Sequence, residues 1–270
     1  MRLFTLLLAL AAQAAPLTFE VASVKPHAPG NPRAMMVADA SGRFTAVGIP
    51  IVMLIRTAYN LQDDQVVGGP DWLRTARFDI TAKAADGTSP TTIGPMLQAL
   101  LADRFQLTTH RETRELPVFA AVKARGDGQP GPRLKANPCV WDFTKPPAPA
   151  KPGETQCGNI SEGFGRMTLN AMPIPVFLQY LAPKVNRVIV DRTGLTGNFD
   201  IELQWTPDNL PPRAPGAPAD QPIRVNGQDV DPNGPSLFTA MQEQLGLKLD
   251  STRAPVEVLV VDRIEQPSPD

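Results

Sequence analysis

Gly42–Val52 reads GRFTAVGIPIV and Gly165–Pro175 reads GRMTLNAMPIP, with Gly, Arg, Thr, Pro and Ile shared at five of eleven positions, 123 residues apart. A phrase written twice constrains a fold more than composition does, because the residues that follow each copy should match as well. They do. IVMLIRTAYN follows the first copy and places Leu54, Ile55, Ala58 and Tyr59 at helical spacing. IPVFLQYLAPK follows the second and does the same with Phe177, Leu178, Tyr180 and Leu181. Each helix begins beside a proline, which a first turn tolerates because the missing N–H had no intrahelical partner. A short apolar segment comes next in each half, QVVGG and RVIVD. The triplet Phe-Asp-Ile then recurs at Phe78–Ile80 and Phe199–Ile201, in stretches that alternate as half-buried strands do.

A second helix is expected in each half. PMLQALLADRFQL carries Met96, Leu97, Leu100, Leu101 and Phe105 on one face. PSLFTAMQEQLGL carries Leu237, Phe238, Met241 and Leu245, with Ser236 placed to cap the helix and Gly246 to end it. A polar strand, a turn at Pro117 or Pro255, and an apolar strand (VFAAVKAR, VEVLVVDRI) close each half. The expected fold is therefore α+β: a tandem duplication of a strand–helix–strand–strand–helix–strand–strand unit, with mixed or antiparallel sheets and two helices per repeat. One such unit buries little surface, and two together bury enough for a stable domain. Phe19–Pro26 (FEVASVKP) reads as an extra alternating strand before the first copy.

The remaining punctuation divides the chain. Residues 1–14, with Arg2, an apolar LFTLLLALAA core and a small-x-small Ala12-Gln13-Ala14 site, read as a secretory signal peptide. Residues 15–125 hold the extra strand and the first repeat, 126–160 a proline-rich linker, 161–265 the second repeat with an insertion at 206–235, and 266–270 a tail. Thirty prolines in 270 residues is about twice ordinary usage. They concentrate in 126–153 and 206–235, which show neither helical nor strand periodicity and read as loops.

Charge excludes some partners. Without Arg2 the chain has 25 basic against 27 acidic residues, so nothing argues for nucleic acid or an anionic membrane. No later run approaches the ~18 apolar residues of a membrane span, so none is expected after signal removal. Cys139 and Cys157, the only cysteines, flank KPPAPAKPG and in an exported chain read as one disulfide. A cysteine metal site lacks partners, since His27 and His110 are the only histidines and no CxxC occurs. Neither a metal nor a cofactor is expected.

FEVASVKP, RFDITAKA, LLADRFQLTTHRETRELPVF, VVDRTGLTGNFDIELQW and SLFTAMQEQLGLKLDSTRAPVEVLVVD together resemble a soil-associated family of uncharacterised exported bacterial proteins. Some members of that family carry this region beside membrane-bound antirepressor-type peptidases. The resemblance thus implies an extracytoplasmic sensing or interaction role, with an envelope protein or sensor peptidase as partner. The peptidase's HExxH motif is absent here, so its chemistry does not carry over. Each half is also similar in layout to the short N-terminal domain of secretins and TonB-dependent receptors, which implies a compact module engaged in protein contacts.

Four stretches look chemical. Gly126–Gly131 fits GxGxxG, but Pro130 and Pro132 interrupt the turn that should open a phosphate-binding helix. Asp229–Gly234 matches the first half of a calcium loop, yet Ala240 stands where the closing Glu belongs. Ser161 in GNISEGFG is a near miss for a nucleophile elbow and would need His27 or His110 as base. GGPDWLRTARF presents Trp72 with Arg74, residue types favoured at binding surfaces, and these two are the candidate binding residues; the plainer reading has Trp72 covering the end of the core. No catalytic residue is assigned. The expected function is a non-enzymatic envelope interaction or ligand-sensing role, periplasmic or extracellular. The alternative is an extracytoplasmic, glycan-processing hydrolase whose dispersed carboxylates converge on a cleft.

Overall fold

The computed structural model describes residues 17–39, 41–85, 92–140, 156–212, 221–225 and 227–267. The expected signal segment 1–14 and the KPPAPAKPG run lie outside these residues. In chain order the elements are β1 (Val21–Pro26), β2 (Met35–Ala38), β3 (Arg43–Pro50), α1 (Ile51–Tyr59), β4 (Val66–Gly68), α2 (Trp72–Thr75), β5 (Arg77–Lys83), α3 (Ile93–Phe105) and β6 (Thr108–Lys123). They continue as β7 (Leu134–Asn137), β8 (Ile160–Gly163), β9 (Arg166–Pro173), α4 (Ile174–Val185), β10 (Ile189–Asp191), β11 (Asn198–Gln204), β12 (Ile223–Val225), β13 (Gln228–Val230), α5 (Leu237–Ala240) and β14 (Leu247–Arg263). The architecture is mixed α/β and mostly strand. Four small sheets run in the orders β1-β5-β3-β2, β10-β6-β14-β4, β7-β11-β9-β8 and β12-β13. Among the described residues no helix is long and apolar enough to cross a membrane.

The chain divides into two compact units. Unit 1 is the chain up to Arg114 together with the residues from Val256 onward; unit 2 is Glu115–Pro255. In unit 1, Phe44, Leu54, Ile55, Leu97, Leu101 and Phe105 are buried where α1 and α3 pack on the sheet β1-β5-β3-β2. Gly48 sits at a bulge in β3 with φ of 63° and donates its N–H to Asp79 Oδ1 at 2.8 Å. A side chain there would meet the Arg33 carbonyl at 2.2 Å, so the bulge and the β1–β2 connection require glycine. His27 Nδ1 lies 2.6 Å from the same Asp79 oxygen. The end of α1 is turned by Asn60 in the left-handed conformation, and Ala84 N donates to Gly42 O at 2.9 Å.

In unit 2, Met167, Leu169, Phe177, Leu181, Ile201 and Leu203 are buried under α4 and the helical turns after Ser236. The bulged residue of β9 is Ala171, φ 52°, whose N–H reaches Asp200 Oδ1 at 3.0 Å. Asn137 Nδ2 donates to that oxygen at 2.9 Å. Asn186 turns the end of α4 in the left-handed conformation, and Trp205 N donates to Gly165 O at 2.9 Å.

Several expectations are corrected. Among the described residues unit 1 holds three α-helices, not two, because the Gly-Gly-Pro turn leads into the single helical turn α2. In unit 2 the second helix is α5 continued by a π-helical turn, Met241–Leu245. The turns expected at Pro117 and Pro255 do not occur: β6 and β14 are continuous over 16 and 17 residues. Proline's fixed φ is compatible with an extended chain and removes only one donor. The stretches 126–153 and 206–235 are not wholly loop, since they contain β7 and the β12–β13 hairpin. Strands of three or four residues show too little alternation to reveal a period of two. The first strand, β1, forms one edge of the unit 1 sheet beside β5, and β7 forms an edge of the unit 2 sheet beside β11. Tyr180 and Phe238, expected on buried faces, are 39% and 42% exposed. The disulfide between Cys139 and Cys157 is present, with Cα atoms 6.2 Å apart. Ser236 caps α5 by accepting from Thr239 N, and Gly246 ends the helical segment with φ of 67°.

Candidate functional site

Unit 2 carries a cleft of about 700 Å³ at the C-terminal end of α4. Its construction begins with Asn186, whose left-handed backbone stops the helix and carries the chain into Arg187. The Arg187 guanidinium lies over the Phe119 ring of β6, 4.6 Å from its centroid. Phe119 in turn meets Phe238 edge to face at 5.6 Å. The Ser236 cap places Phe238 in the first turn of α5, so the ring is held by backbone geometry while still facing solvent.

Trp205 and Phe164 line the cleft as well. Trp205 follows β11 and is tied by its N–H to Gly165 O, while Thr206 N donates to Pro235 O at 2.8 Å and Thr206 Oγ1 to Asp231 O at 2.6 Å. Phe164 occupies the β8–β9 turn, its N–H donating to Gln228 Oε1 at 3.1 Å. Gln204 and Gln244 exchange hydrogen bonds at 3.0 and 2.7 Å, and Arg133 donates to Gln204 Oε1 at 3.0 Å. That network clips the end of β11, and with it Trp205, to the π-helical turn. A second recess of about 450 Å³, also lined by Phe164 and Trp205, adjoins it.

The electrostatics favour negative charge. Lys184 and Arg187 line the cleft, against one carboxylate, the exposed Asp208. Lys184 Nζ lies 3.5 Å from Glu162 Oε2. Among the described residues Arg187 has no carboxylate within salt-bridge distance; its polar contact is Ser251 Oγ, 3.5 Å from Nη1. The site is thus an aromatic wall beside a cation whose donors are largely unused.

Trp72 and Arg74 lie elsewhere, in α2 of unit 1. Trp72 is half-buried against the core and meets Phe78 edge to face at 6.4 Å; Arg74 Nη2 donates to Val66 O at 2.8 Å. Both make contacts internal to their unit. Gly126–Gly131 forms a turn that leads to β7 and opens no helix, with Gly131 packed on the backbone of Gln244–Gly246. Asp231 Oδ1 accepts from Asn233 N at 2.8 Å, using the calcium-like stretch as a turn. Both histidines are engaged within unit 1, His27 with Asp79 and His110 Nδ1 with Asp262 at 2.8 Å. No group of three or more His, Cys, Asp or Glu that could hold a metal occurs among the described residues.

Sequence reading missed Phe119, Phe164, Lys184, Arg187, Trp205 and Phe238 as a group. A signal exists in the residues around the two phrases. Ser41, Leu61 and Ala84 of unit 1 stand next to the same turn glycine, after the same helix-ending Asn, and in the same Gly–backbone hydrogen bond as Phe164, Arg187 and Trp205 of unit 2. Among the described residues, the aromatic and basic side chains stand at these positions in unit 2.

A family model described as "Protein of unknown function (DUF3738)" matches residues 52–264. Comparisons with curated proteins and with solved structures found no match.

Proposed function

The chain belongs to this DUF3738 family, and we propose that it acts by binding a ligand in the unit 2 cleft rather than by catalysis. The observation that carries this reading is the Arg187–Phe119–Phe238 cluster beside Trp205 in a cleft of about 700 Å³, within the size range of small-molecule sites. A hydrolase of the two-carboxylate type needs an acidic pair across the scissile bond. Among the described residues Asp208 is the one carboxylate lining this cleft, and Asp229 and Asp231 in the adjoining recess are engaged with Arg224 and the Asn233 N–H. Action outside the cytoplasm, in the periplasm or beyond the cell, is part of the proposal. It rests on the signal-like residues 1–14 and is supported by the Cys139–Cys157 disulfide. An envelope protein or sensor peptidase is the partner that would read the bound state.

We also infer that the units descend from one duplicated ancestor. Support comes from the shared sheet order, with β1, β5, β3 and β2 matched by β7, β11, β9 and β8. The Asp79–Gly48 and Asp200–Ala171 bulge bonds, and the Asn60 and Asn186 helix ends, agree as well. A duplicated scaffold leaves one copy free to diverge at its loops, which suits a binding cleft confined to unit 2.

Chemical-shift mapping tests the binding reading with three defined probe sets: neutral oligosaccharides, small carboxylic acids and short peptides. At least one set should shift the amides of Gly163–Gly165, Trp205–Thr206 and Ser236–Phe238 while the probe stays chemically unchanged. Probe turnover that Asp208→Asn abolishes would decide for the hydrolase.

A further inference from the structure

We propose that the unit 2 cleft recognises a monoanionic carboxylate borne on a flat apolar or aromatic body, with the carboxylate on Arg187 and the body against Trp205, Phe164 and Phe238. This deepens, and rests on, the reading of the cleft as a binding site.

Arg187 determines the anion. The Phe119 ring holds the guanidinium from one side and takes none of its N–H donors, a fork that matches the two oxygens of a carboxylate. Its protein partner, Ser251 Oγ, is at the outer limit of a hydrogen bond. The second cation, Lys184, already faces Glu162, and the exposed Asp208 also lines the cleft, so among the described residues Arg187 is the lining cation without a carboxylate partner. A single charge suits a carboxylate better than a doubly charged phosphate, which would call for further donors.

The aromatic side chains determine what the carboxylate is attached to. Phe238 is 42% exposed, and Trp205 and Phe164 are half-buried. Each therefore leaves apolar area that a ring or branched apolar group would cover, at about 25 cal/mol per Å² removed from water. A bare anion would leave that area wet and a cleft of this volume mostly empty. A free aryl acid and the terminal residue of a peptide ending in Phe present the same chemistry.

Titration calorimetry on the full chain with matched pairs tests the proposal: 3-phenylpropionate against 3-phenylpropanamide, and acetyl-Ala-Phe with a free against an amidated C-terminus. Each acid should bind at least about tenfold more tightly than its amide, the difference a charge-assisted hydrogen bond supplies. Arg187→Gln should erase that preference, Lys184→Gln should change it little, and Trp205→Ala should weaken acid and amide alike. The tighter of the two acids identifies the source, small molecule or polypeptide C-terminus. Circular dichroism melts establish that the variants fold. Should Arg187→Gln not fold, the acid–amide comparison on the unaltered protein still decides. Equal binding of acid and amide, or no binding by either acid at millimolar concentration, would overturn the proposal. Neutral oligosaccharides shifting the same cleft amides would then leave the binding reading standing without it.

Discussion

His27 shows how much one side chain settles. Its Nδ1 lies 2.6 Å from Asp79 Oδ1 and its Nε2 lies 3.0 Å from the Asn31 carbonyl, both acceptors. Only the doubly protonated ring satisfies both. The Asn31 carbonyl first, and then the Asp79 carboxylate, raise its pKa above the ordinary 6.5, while desolvation and, more weakly, Arg77 oppose them. With the folded value above the unfolded one, the stabilisation is complete below pH 6.5 and is lost as pH climbs through the raised value. The corresponding donor in unit 2 is Asn137, which does not titrate. His27→Asn should therefore flatten the fall in melting temperature between about pH 6 and pH 8.5; an equal fall in both proteins would sink the assignment. The bulges make a second comparison. Gly48→Ala should cost about 2 kcal/mol or more in a denaturant titration, from the left-handed backbone and the close Arg33 carbonyl. Ala171→Gly should be near neutral, since relief of about 1–2 kcal/mol offsets the loss of a buried methyl worth about 0.8 kcal/mol. A tolerated Gly48→Ala would mean that the β1–β2 connection is free to move.

At the scale of elements, helices were legible because their apolar residues repeat within a few positions. Met96, Leu97, Leu100, Leu101 and Phe105 are all buried in α3 as their spacing predicts. Short strands were not legible: β7 and the β12–β13 hairpin contain too few residues to display a period, and their neighbours in space supply the pairing. Nor does the sequence announce that Pro117 and Pro255 sit within strands. The linker is different, since two cysteines in 270 residues leave a single pairing. Replacing both Cys139 and Cys157 by Ala should cost about 3 kcal/mol for a closed loop of this length. A loss below about 1 kcal/mol in urea unfolding would show that other bonds, such as Asn198 Nδ2 to Cys139 O at 2.7 Å, already hold the strand.

For the whole molecule, each unit buries a cluster drawn from its own residues, one around Phe44, Leu54 and Phe105 and one around Phe177, Ile201 and Met241. Local stability should follow that division. Leu54→Ala, at a fully buried site, should cost about 3 kcal/mol. Hydrogen exchange followed by mass spectrometry should rise in peptides spanning β3, α1 and α3 more than in those spanning β9 and α4. A uniform rise would show one cooperative body.

The sequence by itself determined the faces of α1 and α3, the Phe-Asp-Ile strands, the cap at Ser236, the stop at Gly246 and the cysteine pair. All of these are written in short windows or in simple counting, where the local period of a helix or strand carries the information. Tertiary structure decided that β7 completes the unit 2 sheet and that Trp72 packs, half-buried, against the unit 1 core. It also decided that Phe119, Phe164, Arg187, Trp205 and Phe238 meet in one cleft. The first and last of those five stand 119 positions apart, and no period links them. Chain topology brings them together, through the helix end at Asn186, the Gly165–Trp205 bond and the cap that aims Phe238 outward.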